Sequence, residues 1–197
     1  TCQVECATDP VSTRADALAQ LRGLRASIAV HAAANGTLAA STATPFATTG
    51  TAEVTASPHY DKVAALLRHI TRGHEVNGLH VHVEVPDEDD RVRVLNRIRG
   101  WLPLLLALSG NSPFANGLDS GFDSWRSILI RRLPSSWCPP RFRDLDDYRA
   151  HIDQLVALGA IGEPASLAWA VRISERFPTV EVRVFDAQLD PEDSVLA

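Results

Sequence analysis

The segment Gly78-Leu79-His80-Val81-His82-Val83-Glu84-Val85 decides how the rest of the chain is read. Apolar and polar residues alternate in it without a break, and a β-strand sends successive side chains to opposite faces. Leu79, Val81, Val83 and Val85 therefore take a core face, and His80, His82 and Glu84 take the other. Same-face neighbours stand about 7 Å apart, so three ligand-capable groups form one row. A merely solvated face more commonly carries Lys, Thr or Arg; two histidines beside a glutamate point to a functional surface.

A second run, Thr179-Val180-Glu181-Val182-Arg183-Val184, repeats the pattern. The valines take one face, and Glu181 and Arg183 the other. A carboxylate is a hard oxygen ligand suited to magnesium, and a guanidinium is a fork for carboxylate or phosphate. A surface cross-strand ion pair is the competing explanation of this run. The opening residues Cys2-Gln3-Val4-Glu5-Cys6 alternate too, with Gln3 and Glu5 opposite Cys2, Val4 and Cys6, and the two cysteines read as small buried apolar residues. Together the three runs predict an α+β fold: a curved antiparallel sheet with helices on one face and a polar cavity on the other. Such a cavity suits magnesium-bound phosphates meeting a carboxylate substrate. The chain contains no Walker-type phosphate loop and no G-x-G-x-x-G.

Composition narrows the classes. A length of 197 residues, 45% apolar and 22% charged, is ordinary for one globular domain. The net charge of -5 weighs against sequence-independent nucleic-acid binding. The longest apolar run, Trp101 to Leu108, contains Pro103 and falls short of a membrane span, so no membrane partner is expected. Cys2, Cys6 and Cys138 make no disulfide framework, and a reducing cytoplasm is the simplest compartment. Homo-oligomerisation is left open.

Around the strands, helices are expected at 12–34 (stripe Leu18, Leu21, Leu24, Ile28 and Ala32, with Thr13 and Asp16 as a capping box), 58–72, 87–109 and 144–160. The 87–109 helix should carry Val94, Ile98, Trp101, Leu102 and Leu105 on one face and kink at Pro103. A short strand is expected at 37–43, a loop from Thr42 to Pro58, and further strands at 168–174 and 178–186. Asn111 to Arg143 reads as a long irregular region, in which Arg126 is a candidate anion clamp on a loop. Asp190-Pro191-Glu192-Asp193 reads as a helix start. With the abrupt strand-like opening, it suggests that residues 1–197 are a single domain's central portion.

The motif Gly78–Val85 followed by Pro86-Asp87 resembles the signature of the bacterial type 2 glutamate–cysteine ligases, or carboxylate–amine ligases of the YbdK type. Other blocks resemble the family in the same order: Gln3-Val4-Glu5, Arg97–Pro103, Leu106–Phe114, Ser124-Trp125-Arg126-Ser127 and Phe177–Arg183, with Asp186 and Asp190 in the closing pattern. The resemblance implies an incomplete glutamine-synthetase-like catalytic domain. It implies ATP-dependent joining of the γ-carboxylate of glutamate to cysteine or another amine through an acyl phosphate, with Mg2+ on the phosphates. On this likeness Glu5 and Glu181 match metal-binding acids, His80, His82 and Glu84 line the metal and phosphate region, and Arg183 and Arg126 match catalytic anion-binding positions. The chain departs from the family at Thr44, where many relatives carry histidine, and at Ala170, where many carry an acid. Two other readings are weighed against it: a non-catalytic fragment of the same fold that binds nucleotide or glutamate, and a metal-dependent hydrolase using His80 and His82.

Overall fold

The computed structural model describes residues 3–48 and 56–197. Helix α1 (Arg14–Ala34) starts where the sequence places it: the Asp16 N–H donates to Thr13 Oγ1 at 3.1 Å and the Thr13 hydroxyl donates to Asp16 Oδ2 at 2.6 Å. Its predicted stripe is half-buried throughout and no residue of the helix is fully buried. Helix α2 (Pro58–Leu67) has Ser57 as N-cap and Pro58 in its first turn, and runs into a 3-10 turn at Arg68–Thr71.

Strand β1 (Gly78–Glu84) leads to α3 (Glu88–Ile98), whose cap Asp87 accepts from the Asp90 N–H at 2.9 Å. The predicted 23-residue helix of residues 87–109 does not run through. Pro103 has no N–H to donate and its ring crowds the carbonyl four residues back. The chain tightens into a 3-10 turn at Arg99–Trp101 and restarts as α4 (Leu102–Ser109), with Pro103 in the first turn, where a missing N–H costs nothing. The restart changes the helical phase. Leu102 is buried, while Trp101, expected beside it, is exposed.

The irregular region carries more structure than its composition suggests. Two-residue strands β2 (Phe114–Ala115) and β3 (Leu118–Asp119) form a hairpin over Asn116-Gly117, both in left-handed conformation, as a tight hairpin turn requires. A short helix α5 (Trp125–Ile130) follows, capped by Ser124. Helix α6 (Leu145–Ala157) ends before Gly159 at φ +69°, and strands β4 (Val171–Ile173), β5 (Thr179–Asp186) and helix α7 (Pro191–Leu196) complete the chain.

The three main strands form an antiparallel sheet in the order β1-β5-β4. Val92 and Leu95 of α3, Leu102 of α4 and Tyr148 and Ile152 of α6 pack on its apolar face against Val171, Ile173, Val180, Val182 and Phe185. Each side chain of Leu size taken out of water here stabilises the fold by about 1.5–3 kcal/mol. Tyr148 also closes the outer edge of β4: the Ile173 N–H donates to its hydroxyl at 3.1 Å.

Two predicted strands do not form. Residues 3–6 and 37–43 have no strand structure, and Cys6 is exposed rather than buried. Alternation without a neighbouring strand to satisfy the backbone is not enough. Gln3 instead ties this segment to the chain ahead of β1, its side-chain amide donating to the Val76 carbonyl at 2.7 Å. Cys2 and the centre of the Thr42–Pro58 loop lie outside the described residues. Among the described residues, no helix is long and apolar enough to cross a membrane.

Candidate active site

The polar face of the sheet is set by one irregularity. From Glu84↔Thr179 to Val81↔Val182 the β1–β5 register advances one residue for one; it then jumps to Leu79↔Phe185 and Gly78↔Asp186. Arg183 and Val184 therefore both stand opposite His80, a β-bulge in the central strand. Strict alternation would have sent Asp186 toward the helices with Val180 and Val182. The extra residue returns it to the face shared by Glu181 and Arg183.

Above the bulge, toward Thr179, lies an open cluster. Glu181 is its centre and is buried. Arg172 of β4, directly across from it in the register, donates its Nε–H to Glu181 Oε2 at 2.6 Å, and Arg183 donates to Oε1. Arg172 is held in turn by the carbonyls of Ala165 and Leu167, at 2.8 and 3.1 Å. Burial alone pushes the Glu181 carboxyl up; Arg183 and Arg172 overcome this and hold it below the usual carboxylate range.

His80 sits beside this pair with its Nδ1 3.3 Å from Arg183 Nη1. Burial, and then the Arg183 charge, push its pKa down to about 3 against the opposing pull of Glu181. The imidazole is therefore neutral at ordinary pH. A guanidinium only donates, so Nδ1 accepts and the ring proton belongs on Nε2. The 3.4 Å approach of Nδ1 to Glu181 Oε1 is accordingly not an ion pair. His82 is fixed by a 2.8 Å hydrogen bond between Nδ1 and the Thr179 hydroxyl, with the Phe177 ring edge-on at 6.0 Å.

Below the bulge lies a sealed cluster. Asp186 is inaccessible to solvent. It accepts from the Asn111 N–H at 2.9 Å and from the hydroxyls of Ser112 and Ser124 at 2.7 and 2.9 Å. Arg126 faces it at 3.6 Å and donates to the bulge carbonyls of Arg183 and Val184 at 3.2 and 3.3 Å. Its guanidinium fills the space over Gly78, where a Cβ would stand 2.9 Å from Cζ. Glycine is required there by close approach rather than by backbone conformation.

The structure thus places His80, His82, Glu84, Glu181 and Arg183 along one face of one sheet. Glu84 closes the row at its exposed end. Glu5 is exposed, on a segment with no regular structure, near enough to Arg183 for its charge to act on that guanidinium. Arg126, read as a loop clamp, is instead a buried residue in the first turn of α5, turned inward onto Asp186. Arg172 was missed as a site residue. Its signal was a charged residue between two apolar ones in Val171-Arg172-Ile173, on the face that pairing gives to Glu181.

A magnesium ion asks for near-octahedral oxygen ligands. Both Glu181 oxygens are engaged by guanidiniums, and among the described residues no group of three or more His, Cys, Asp or Glu side chains could hold a metal. The described residues by themselves therefore do not fit a magnesium site, nor the metal centre that a hydrolase reading of His80 and His82 needs. The pair of guanidiniums suits an anion: Glu181 alone neutralises only one of Arg172 and Arg183, a neutral imidazole donor lies beside them, and Glu5 and Glu84 stand at the margin.

Comparison with known families matches residues 1–197 to glutamate–cysteine ligase family 2 (GCS2). The chain belongs to that family. It is 40% identical over 195 residues to a protein of Mycobacterium sp. (strain KMS) named "Putative glutamate--cysteine ligase 2-2", covering 99% of this chain and 54% of that protein. A protein of Rhodococcus jostii (strain RHA1) named "Putative glutamate--cysteine ligase 2-1" is 37% identical over 196 residues, 99% of this chain and 53% of its own length. The equivalent of the same name in Nocardia farcinica (strain IFM 10152) is 40% identical, over 99% of this chain and 51% of its own. The chain spans about half the length of the curated relatives it matches.

Proposed function

We propose that this chain supplies the central portion of the catalytic domain, glutamine-synthetase-like in its sheet, of an ATP-dependent carboxylate–amine ligase acting in the cytoplasm. The reaction joins the γ-carboxylate of glutamate to cysteine or another amine. The terminal phosphoryl group of ATP passes to a γ-carboxylate oxygen and ADP departs. The amine nitrogen then forms the amide bond as phosphate leaves with the C–O electron pair, and the nitrogen gives up a proton. The observation that carries this reading is the Glu181-centred cluster. Arg172 and Arg183 are held in place by a carboxylate that only partly neutralises them, beside a histidine that burial keeps uncharged.

Such guanidiniums bind and orient an oxyanion without reorganising when charge moves onto it, which is most of what phosphoryl transfer asks of a protein. His80, protonated on Nε2, adds a neutral donor. Glu181 acts here as the orienter of both arginines. Magnesium would enter with ATP rather than on a site built from this chain's described residues alone.

The test is glutamate- and amine-dependent ADP release by the full-length protein, with cysteine and a panel of other amines. Amide product that disappears in Arg183→Ala and Arg172→Ala supports the reading. A full-length protein that binds ATP yet forms no amide with any amine sinks it in favour of a binding fragment of the same fold.

A further inference from the structure

On the opposite side of the sheet, α3 and the segment leading into α6 enclose an open cavity of about 540 Å³ lined by Arg93, Asn96, Arg97, Arg141, Phe142 and Arg143. Two links hold its walls together. The Asn96 side chain donates to the Phe142 carbonyl at 2.7 Å and accepts the Phe142 N–H at 3.1 Å, and Arg99 donates to the Pro139 carbonyl at 2.7 Å. The backbone that carries Arg141 and Arg143 is thereby held against the face of α3 that carries Arg93 and Arg97. Val92 and Leu95 of that helix point the other way, into the core.

The four guanidiniums are unequal. Arg93 is paired with Asp90 at 2.5 Å and Arg143 with Asp147 at 3.2 Å. Arg97 and Arg141 have no hydrogen bond or ion pair with any of the described residues. Four positive charges against two carboxylates leave an excess of two, concentrated on the two unpaired forks.

We propose that this cavity is a second anion site, distinct from the Glu181 face, for a small phosphate-bearing ligand of about two negative charges. Guanidinium forks match phosphate oxygens bidentately. A volume of this order admits a small metabolite. The surroundings select for a compact ligand: Asp87, Glu88 and Asp89 at the start of α3, and Asp144 and Asp146 at the start of α6, are exposed on the same two segments. They would repel the flanking phosphates of an extended nucleic-acid strand. The site does not depend on the ligase reading.

The experiment is calorimetric titration of the full-length protein with inorganic phosphate and with pyrophosphate, with hydrogen–deuterium exchange to locate the bound anion. Pyrophosphate, which offers one phosphate group to each of the two unpaired forks, should bind more tightly than phosphate and protect residues 93–99 and 139–143. Arg97→Ala with Arg141→Ala should weaken it roughly tenfold or more. The Arg97→Lys, Arg141→Lys pair should recover only part of the loss, because charge returns without the fork. ATP binding should be unchanged in both pairs, and since both side chains are exposed the thermal midpoint should hardly move. Unchanged pyrophosphate affinity in the alanine pair, protection confined to the Glu181 face, or tighter binding of a single-stranded oligonucleotide than of pyrophosphate would each overturn the proposal.

Discussion

Strand β5 carries two arginine–carboxylate clusters, one on each side of its bulge, and they differ in almost everything except their chemistry. Asp186 and Arg126 are buried with every carboxylate oxygen satisfied from the protein. Glu181, Arg172 and Arg183 are equally well bonded, but Arg183 itself and the neighbouring His80 and His82 keep contact with solvent. The sealed cluster has no room for a ligand and ties the 111–126 region to the sheet. The open one is the only one of the two that a substrate could reach. An arginine–acid pair is therefore not a functional signal in itself; what faces the pair decides its role.

The contrast can be broken most directly at Asp186. Asp186→Ala leaves the Arg126 charge buried without its carboxylate and three donors without an acceptor. It should cost about 3–5 kcal/mol in urea unfolding. A loss under 1 kcal/mol would mean that the sealed cluster does not hold the fold.

Glu181→Gln should do the reverse, with the larger effect on chemistry. It releases two guanidiniums from the carboxylate that orients them, and the full-length protein should lose about 10²-fold in kcat, as when one preorganised electrostatic contact is removed. Steady-state kinetics decide this. A variant that unfolds as readily as Asp186→Ala but retains its turnover would erase the distinction between the clusters.

Gly78→Ala probes the boundary. The new methyl group would run into the Arg126 guanidinium, which is confined by Asp186 and two carbonyls and has little freedom to yield. Overpacking of this kind costs about 1–3 kcal/mol. The companion substitution Gly23→Ala, where nothing lies within 4 Å, should not destabilise α1.

The remaining effect is one of pH. His80 has its folded pKa pushed down to about 3, whereas the unfolded ring titrates near 6.5. Below about 6.5 the unfolded chain therefore binds a proton that the folded one refuses. The stability associated with this group is complete above that pH and erodes as pH falls toward about 3. His74, lowered to about 4 by burial and by Arg132, acts in the same direction over much of the same range. Urea midpoints between pH 4 and 7 should slope less steeply in His80→Gln and in His74→Gln than in the parent, and least in the double variant. An unchanged slope in His80→Gln would show that the ring is not held neutral by the open cluster.

Much of the sheet was legible because alternation in a strand is local information. The Gly78–Val85 and Thr179–Val184 runs identified the two paired strands, and their polar residues lie on one face. The capping box at Thr13 and Asp16, the start of α7 at Pro191 and the end of α6 before Gly159 were legible for the same reason: each depends on residues within one turn. The likeness to the ligase family was also carried by contiguous blocks.

What the sequence by itself determined is the set of elements and the chemistry on offer: two alternating strands with histidines, a glutamate and an arginine, helices with apolar stripes, and membership of a ligase family. The tertiary structure alone decided which polar groups meet. Residues 3–6 and 37–43 alternate or favour strand but acquire no partner strand, so they stay irregular. The β5 bulge shifts side-chain parity by one, and nothing within β5 announces it, because a bulge exists only relative to the strand opposite. That shift turns Asp186 away from the helices and onto Arg126, sealing one pair. It leaves Glu181 between Arg172 and Arg183, beside a neutral His80, as the cluster open to solvent.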